Sequence, residues 1–135
     1  MIVGFTGTRE GMTQVQLSTV TRLLLKADEA HHGDCVGADE QFHAICLELE
    51  IPVVLHPPEE ERLRAFCPDA IRIEPPRPYL VRNRIIVDLC DMLVAAPKED
   101  EEPEPQRGQG TWSTVRYARR SVKPFRIVWP NGKPW

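Results

Sequence analysis

Met1-Ile2-Val3-Gly4-Phe5-Thr6-Gly7-Thr8-Arg9-Glu10-Gly11 is the stretch whose reading decides the fold. Its first six residues form an apolar, strand-like run, and Gly7 ends it where the backbone must turn sharply. Just beyond lies Thr13-Gln14-Val15-Gln16, a capping box: the threonine hydroxyl takes the amide three residues on, and the Gln16 side chain reaches back. Leu17, Val20, Leu24 and Ala27 then recur at helical spacing, so one face of the helix is buried. Strand, glycine turn and capped amphipathic helix make the first part of a βαβ unit.

The alternation continues. A second strand is predicted around His31 to Cys35, running into Val36-Gly37-Ala38-Asp39, and Phe42, Ile45, Cys46 and Leu49 mark a second helix. Pro52 to His56 reads as strand three. Pro57 to Pro78 is too rich in proline for a helix and reads as a long, partly ordered loop around a short strand at Ile71 to Ile73. Tyr79 to Cys90 is a helix with Ile85, Ile86 and Leu89 inward, and Asp91 to Ala96 is strand four. An acidic loop covers Lys98 to Gln106, Gly110-Thr111 opens a last helix through Ser121, and Pro124 to Trp129 is the final strand. The expectation is one domain over residues 1–135: an α/β, Rossmann-like three-layer sandwich whose mainly parallel sheet has about five strands.

Composition narrows the function. With 135 residues, 41% of them apolar, there is material for one core. The formal charge is −3. The acidic loop holds five acids against Lys98, so the rest of the chain nets +1, and nothing advertises the basic groove of a nucleic-acid binder. Nucleic acid is therefore disfavoured as a partner. No apolar run approaches the ~20 residues of a membrane span, and the N-terminus carries no signal-like pattern, so a cytoplasmic protein without membrane contact is expected. Cys35, Cys46, Cys67 and Cys90 form no C-x-x-C pair, which predicts reduced, buried thiols and neither a metal site nor a cofactor. His31 and His32 are adjacent on a strand, face opposite sides and so cannot share a metal; they read as structural.

Three glycine turns at strand-to-helix junctions should converge, since ligands gather where helix N-termini point their amides at the same sheet edge. In Thr6-Gly7-Thr8-Arg9-Glu10, glycine permits close approach, hydroxyls donate to phosphate oxygens and Arg9 offers a planar fork; a plain tight turn is the alternative. In Gly33 to Asp39, Gly37 and Ala38 allow approach, while Asp39 is either a helix cap or a contact for ribose or base. In Arg107-Gly108-Gln109-Gly110-Thr111, exposed amides and a hydroxyl sit at a helix start. Trp112 either stacks on a base or fills a core or interface position. Neither G-x-G-x-x-G nor a P-loop occurs.

Gly7-Thr8-Arg9, Gly33 to Asp39, Arg82-Asn83, Asp91 and Gly108-Gln109-Gly110-Thr111, taken in order, resemble the SLOG superfamily. That group holds LOG-type phosphoribohydrolases, DprA-like proteins and small stand-alone members of phages and bacterial conflict systems. The resemblance implies a Rossmann-like nucleotide-binding protein, commonly a homodimer, whose ligand is held by Gly7, Thr8, Arg9, Gly37, Ala38, Asp39, Arg82, Asn83, Gly108, Gln109, Gly110 and Thr111. It implies a sensor or sequestering protein, with a LOG-like N-glycosidase acting on nucleoside 5′-monophosphates as the alternative. Arg82 stands nine residues before Asp91, as the LOG arginine does, but the LOG glutamate position is Thr114. The candidates for catalysis are Arg82, Asp39 and Glu10.

Overall fold

The computed structural model describes residues 1–105 and 110–134. Six parallel strands form one sheet: β1 (Ile2–Gly7), β2 (Glu29–His32), β3 (Val53–Leu55), β4 (Arg72–Ile73), β5 (Met92–Ala96) and β6 (Phe125–Ile127). The spatial order is β4-β3-β2-β1-β5-β6. The helices are α1 (Gln14–Leu24), α2 (Ala38–Glu48), α3 (Tyr79–Leu89) and α4 (Thr111–Arg120). This is the Rossmann-like α/β fold, with six strands where about five were expected; the extra one is the two-residue edge strand β4.

The sheet is built outward from β1 in both directions, β2 pairing one edge and β5 the other. Strand order therefore reverses beside β1, and the crevice beyond the ends of β1 and β5 is where such sheets hold ligands. On one face Phe5 stacks on Phe42 at 4.3 Å between ring centres, inside a core with Val3, Val20, Leu24, Cys46 and Leu55. On the other face Trp112 packs against Trp129, and Val87, Leu93 and Ala118 meet. All four cysteines are free and buried.

The capping box at Thr13 forms as its spacing predicts: the Thr13 hydroxyl accepts from Gln16 N and Gln16 Oε1 accepts from Thr13 N. Gln16 is also buried, and its Nε2 donates to the carbonyls of Pro97 (2.7 Å) and Val128 (2.8 Å). One side chain thus starts a helix and ties down the ends of β5 and β6.

Two local expectations change. The second strand begins earlier and ends at His32, because Gly33 to Cys35 turn away to meet the 64–67 loop. Leu89 is exposed on α3; Arg82, Asn83, Ile86 and Val87 are the inward residues, so polar side chains hold positions that periodicity assigns to apolar ones. The acidic loop has no regular element through residue 105 but is strapped onto α4: Arg116 donates to the carbonyls of Pro103 and Pro105, and Glu102 pairs with Arg116 and Arg119. No helix among the described residues is long and apolar enough to cross a membrane.

Candidate functional site

The crevice beside β1 holds a cavity of about 550 Å³, lined by Gly7, Thr8, Arg9, Glu10, Tyr79, Lys98, Glu99, Gly110, Thr111 and Trp112. A narrow slot of about 40 Å³ lies alongside, sharing Gly7, Arg9, Tyr79, Gly110 and Thr111 and adding Cys35, Asp39, Arg82 and Asn83. The turn after β1 and the start of α4 thus meet around one space. Gly108 and Gln109 lie outside the described residues.

Helix α4 begins without a side-chain cap among the described residues and has no acidic residue in its first turn, so the positive end of its dipole faces the cavity. Gly110 has φ +46, and a Cβ there would meet nothing within 4 Å; its backbone opens onto free space. Arg9 is exposed and makes no ion pair among the described residues, whereas Lys98 is paired with Glu10 at 2.8 Å and Glu99 accepts from Trp112 Nε1 at 3.0 Å. Trp112 itself is buried against Trp129, a core position, and offers the cavity little stacking surface. Thr8 Oγ1 accepts from Glu10 N, which shapes the turn.

The turn after β2 behaves differently. Gly37 and Ala38 line neither cavity. Gly37 has φ +95 and a Cβ on it would run into the Arg9 carbonyl, while Ala38 is fully buried and its N donates to Thr8 O at 2.9 Å. They buttress the Arg9 turn from behind. Asp39 does reach the slot. It is 6% exposed, accepts from Cys35 N, and burial lifts its carboxyl to about 6 despite the opposing pull of Arg82. Burial, and then Asp39, likewise raise the Cys35 thiol.

Arg82 is also 6% exposed and heavily committed. Its Nε donates to Asn83 Oδ1, its Nη1 to the carbonyls of Gly33 and His56, and its Nη2 meets Cys35 Sγ at 3.3 Å. Asn83 is its neighbour in sequence; the fold supplies the other three partners. Thr114, at the LOG glutamate position, is 2% exposed and its hydroxyl donates to Gly110 O at 2.9 Å. It braces the α4 turn from inside and presents no acid.

His32, His43 and Cys67 bring three donor atoms within 4.8 Å, a juxtaposition no sequence spacing revealed. Their hydrogen bonds do not suit a metal. Asp34 N–H donates to His32 Nδ1, which puts the His32 proton on Nε2; this donates to His43 Nδ1, and His43 Nε2–H donates to Pro68 O. Binding through His32 Nε2 would force a proton onto Nδ1 against the Asp34 amide. Burial, His43 and Arg82 together hold His32 well below the usual histidine range, in keeping with a neutral pair. On the opposite face, His31 bridges Glu29 Oε2 (2.7 Å) and His56 Nε2 (2.8 Å), and burial holds His56 at about 4.

A six-stranded parallel sheet whose strand order reverses beside β1, with helices on both faces, defines a Rossmann-like α/β fold. Solved structures share this fold at low sequence identity. The structure is similar to the molybdenum cofactor binding protein of Rippkaea orientalis (TM-score 0.70, 22% identity, 93% of this chain and 74% of that one). It is similar also to DNA processing protein A of Helicobacter pylori, described for its single-stranded DNA binding (0.63, 18%, 94% and 64%). A third is the Moco carrier protein of Chlamydomonas reinhardtii (0.55, 17%, 93% and 74%). No family model and no curated protein matches the chain in sequence.

Proposed function

We propose that the protein binds a nucleotide or nucleotide-derived ligand, its phosphate end seated between Arg9 and the start of α4. The observation that carries this reading is the α4 N-terminus, uncapped among the described residues, opening through Gly110 into the same 550 Å³ cavity as Arg9, which makes no ion pair among them. Free amides, a helix dipole and a planar cation around one polar cavity are the chemistry of an anion site. Thr8 and Thr111 add hydroxyls at its wall. Thr114 supplies no carboxylate, which favours holding the ligand over cleaving it by a LOG-type route. Sensing or sequestration in a homodimer is the role in view.

One observation favours base release instead. Asp39 lies in the slot with a carboxyl at about 6, where it can hold and give up a proton near neutrality. Thermal-shift titration and chromatography of a panel of nucleoside mono-, di- and triphosphates test both readings. Stabilisation without turnover supports the binder, and base release lost in Asp39→Asn supports the enzyme. Because a DprA neighbour binds single-stranded DNA, the panel includes an oligonucleotide; preference for it over every mononucleotide would refute the proposal.

A further inference from the structure

Tyr79, the first residue of α3, lines three cavities: the large one, the slot, and a separate groove of about 220 Å³ formed by Pro58, Leu63, Pro78 and Tyr79 with Glu59 and Glu60 at its rim. The groove walls come from three segments joined by backbone hydrogen bonds. Glu59 N donates to Arg77 O (3.1 Å) and Arg77 N to Pro57 O (3.3 Å), locking the Pro58 and Pro78 walls together. Leu63 sits on a single 3-10 turn, Glu61–Leu63; its N donates to Glu60 O (3.0 Å) and its carbonyl accepts from Val36 N (3.0 Å), which anchors this wall to the turn after β2. The groove is therefore preformed, a property of small-molecule sites.

We infer that this groove is the subsite for the ring of the ligand, a planar heteroaromatic base, while its phosphate occupies the larger cavity beyond Tyr79. The inference rests on the proposed phosphate site and adds where the other end goes. Two proline rings, a leucine and the Tyr79 ring give the groove a mainly apolar wall for stacking, whereas the larger cavity shares Tyr79 but is mostly polar. The rim carboxylates accept hydrogen bonds and donate none, so they suit a ring edge that carries N–H groups. The groove lining has two carboxylates and no cation, Glu60 being paired with Arg62 beside it (2.9 Å). The larger cavity sets Arg9 and Lys98 against Glu10 and Glu99, so the phosphate end belongs on the Arg9 side.

The test compares inorganic phosphate, ribose 5-phosphate and the four nucleoside 5′-monophosphates by calorimetry on the intact protein and on Leu63→Trp, which fills the groove, with Leu63→Asp as a second variant that leaves it open but polar. For the unmodified protein, at least one nucleoside monophosphate should bind about tenfold tighter than ribose 5-phosphate, the scale of one aromatic stack. Both variants should reduce that preference to within about twofold while leaving ribose 5-phosphate affinity unchanged; an unaltered melting profile of either variant suffices as the folding control. Equal binding of ribose 5-phosphate and every nucleotide, or a preference that survives both substitutions, overturns the ring subsite and leaves the phosphate site standing. Absence of binding by any of the six probes overturns the phosphate site and this inference with it.

Discussion

A Cβ on residue 33 would fall inside the guanidinium of Arg82. Gly33 is thus the residue that makes room for a buried cation, and Arg82 in return satisfies the carbonyls of Gly33 and His56. Gly33→Ala should cost about 1–3 kcal/mol by overpacking. Arg82→Ala should cost a similar amount with no ligand present, because buried carbonyls lose their donor. Denaturant titration of both variants checks this. Unchanged stability with weakened nucleotide binding would instead mark Arg82 as a ligand contact alone.

Gly37 and Gly110 look alike in sequence and should respond differently to alanine. At Gly37 the new Cβ meets the Arg9 carbonyl at φ +95, whereas at Gly110 it meets nothing within 4 Å, so only the positive φ is penalised. Gly37→Ala should lose several kcal/mol, and Gly110→Ala about 1 kcal/mol. Thermal unfolding measures the gap, and equal losses would contradict the packing described.

Acid stability should be shaped by two opposing groups. His56 has its pKa lowered to about 4 from 6.5, so the unfolded chain takes up its proton first and stability falls as pH drops from 6.5 to 4, by about 3 kcal/mol in all. Asp39 is raised to about 6 from 3.8, so its contribution is present below 3.8 and lost as pH rises through 6, again about 3 kcal/mol. The two nearly cancel between pH 4 and 6, with His32 adding to the histidine side. Asp39→Asn should therefore be more stable at pH 7, by up to about 3 kcal/mol, and lose stability more steeply on acidification. Urea titrations at stepped pH read both slopes.

Restoring the LOG glutamate should fail to create activity. Thr114 is enclosed and its hydroxyl is bound to Gly110 O, so a longer, charged side chain must either bury its charge or push α4 outward. Thr114→Glu is expected to lose about 2–4 kcal/mol with no base release. A folded variant that hydrolyses a nucleoside monophosphate would show that the position still faces the ligand.

The alternation of strand and helix, the Thr13–Gln16 capping box and the glycine turns after β1 and before α4 were legible in the sequence, because each depends on residues close together along the chain. Two-residue β4 was visible only as a short strand inside a proline-rich loop; it gains its place by pairing with β3. The inward face of α3 was misread at Leu89 because periodicity counts apolar residues, whereas Arg82 is admitted to the interior by carbonyls from β2 and β3 turns that lie 49 and 26 residues away. The same limit hid the division of labour among the glycines. That Gly37 and Ala38 support the Arg9 turn while Gly110 opens onto the cavity follows from which backbone lies opposite each one.

Sequence by itself determined the class of fold and that the turn after β1 and the start of α4 share one sheet edge, since hydrophobic period and turn chemistry are local. Tertiary structure alone decided which cation at the cavity has no ion pair among the described residues, which histidines are paired with each other, and where an apolar groove adjoins the polar cavity. Those properties depend on what burial and long-range hydrogen bonds bring to each group, and chain spacing carries no record of them.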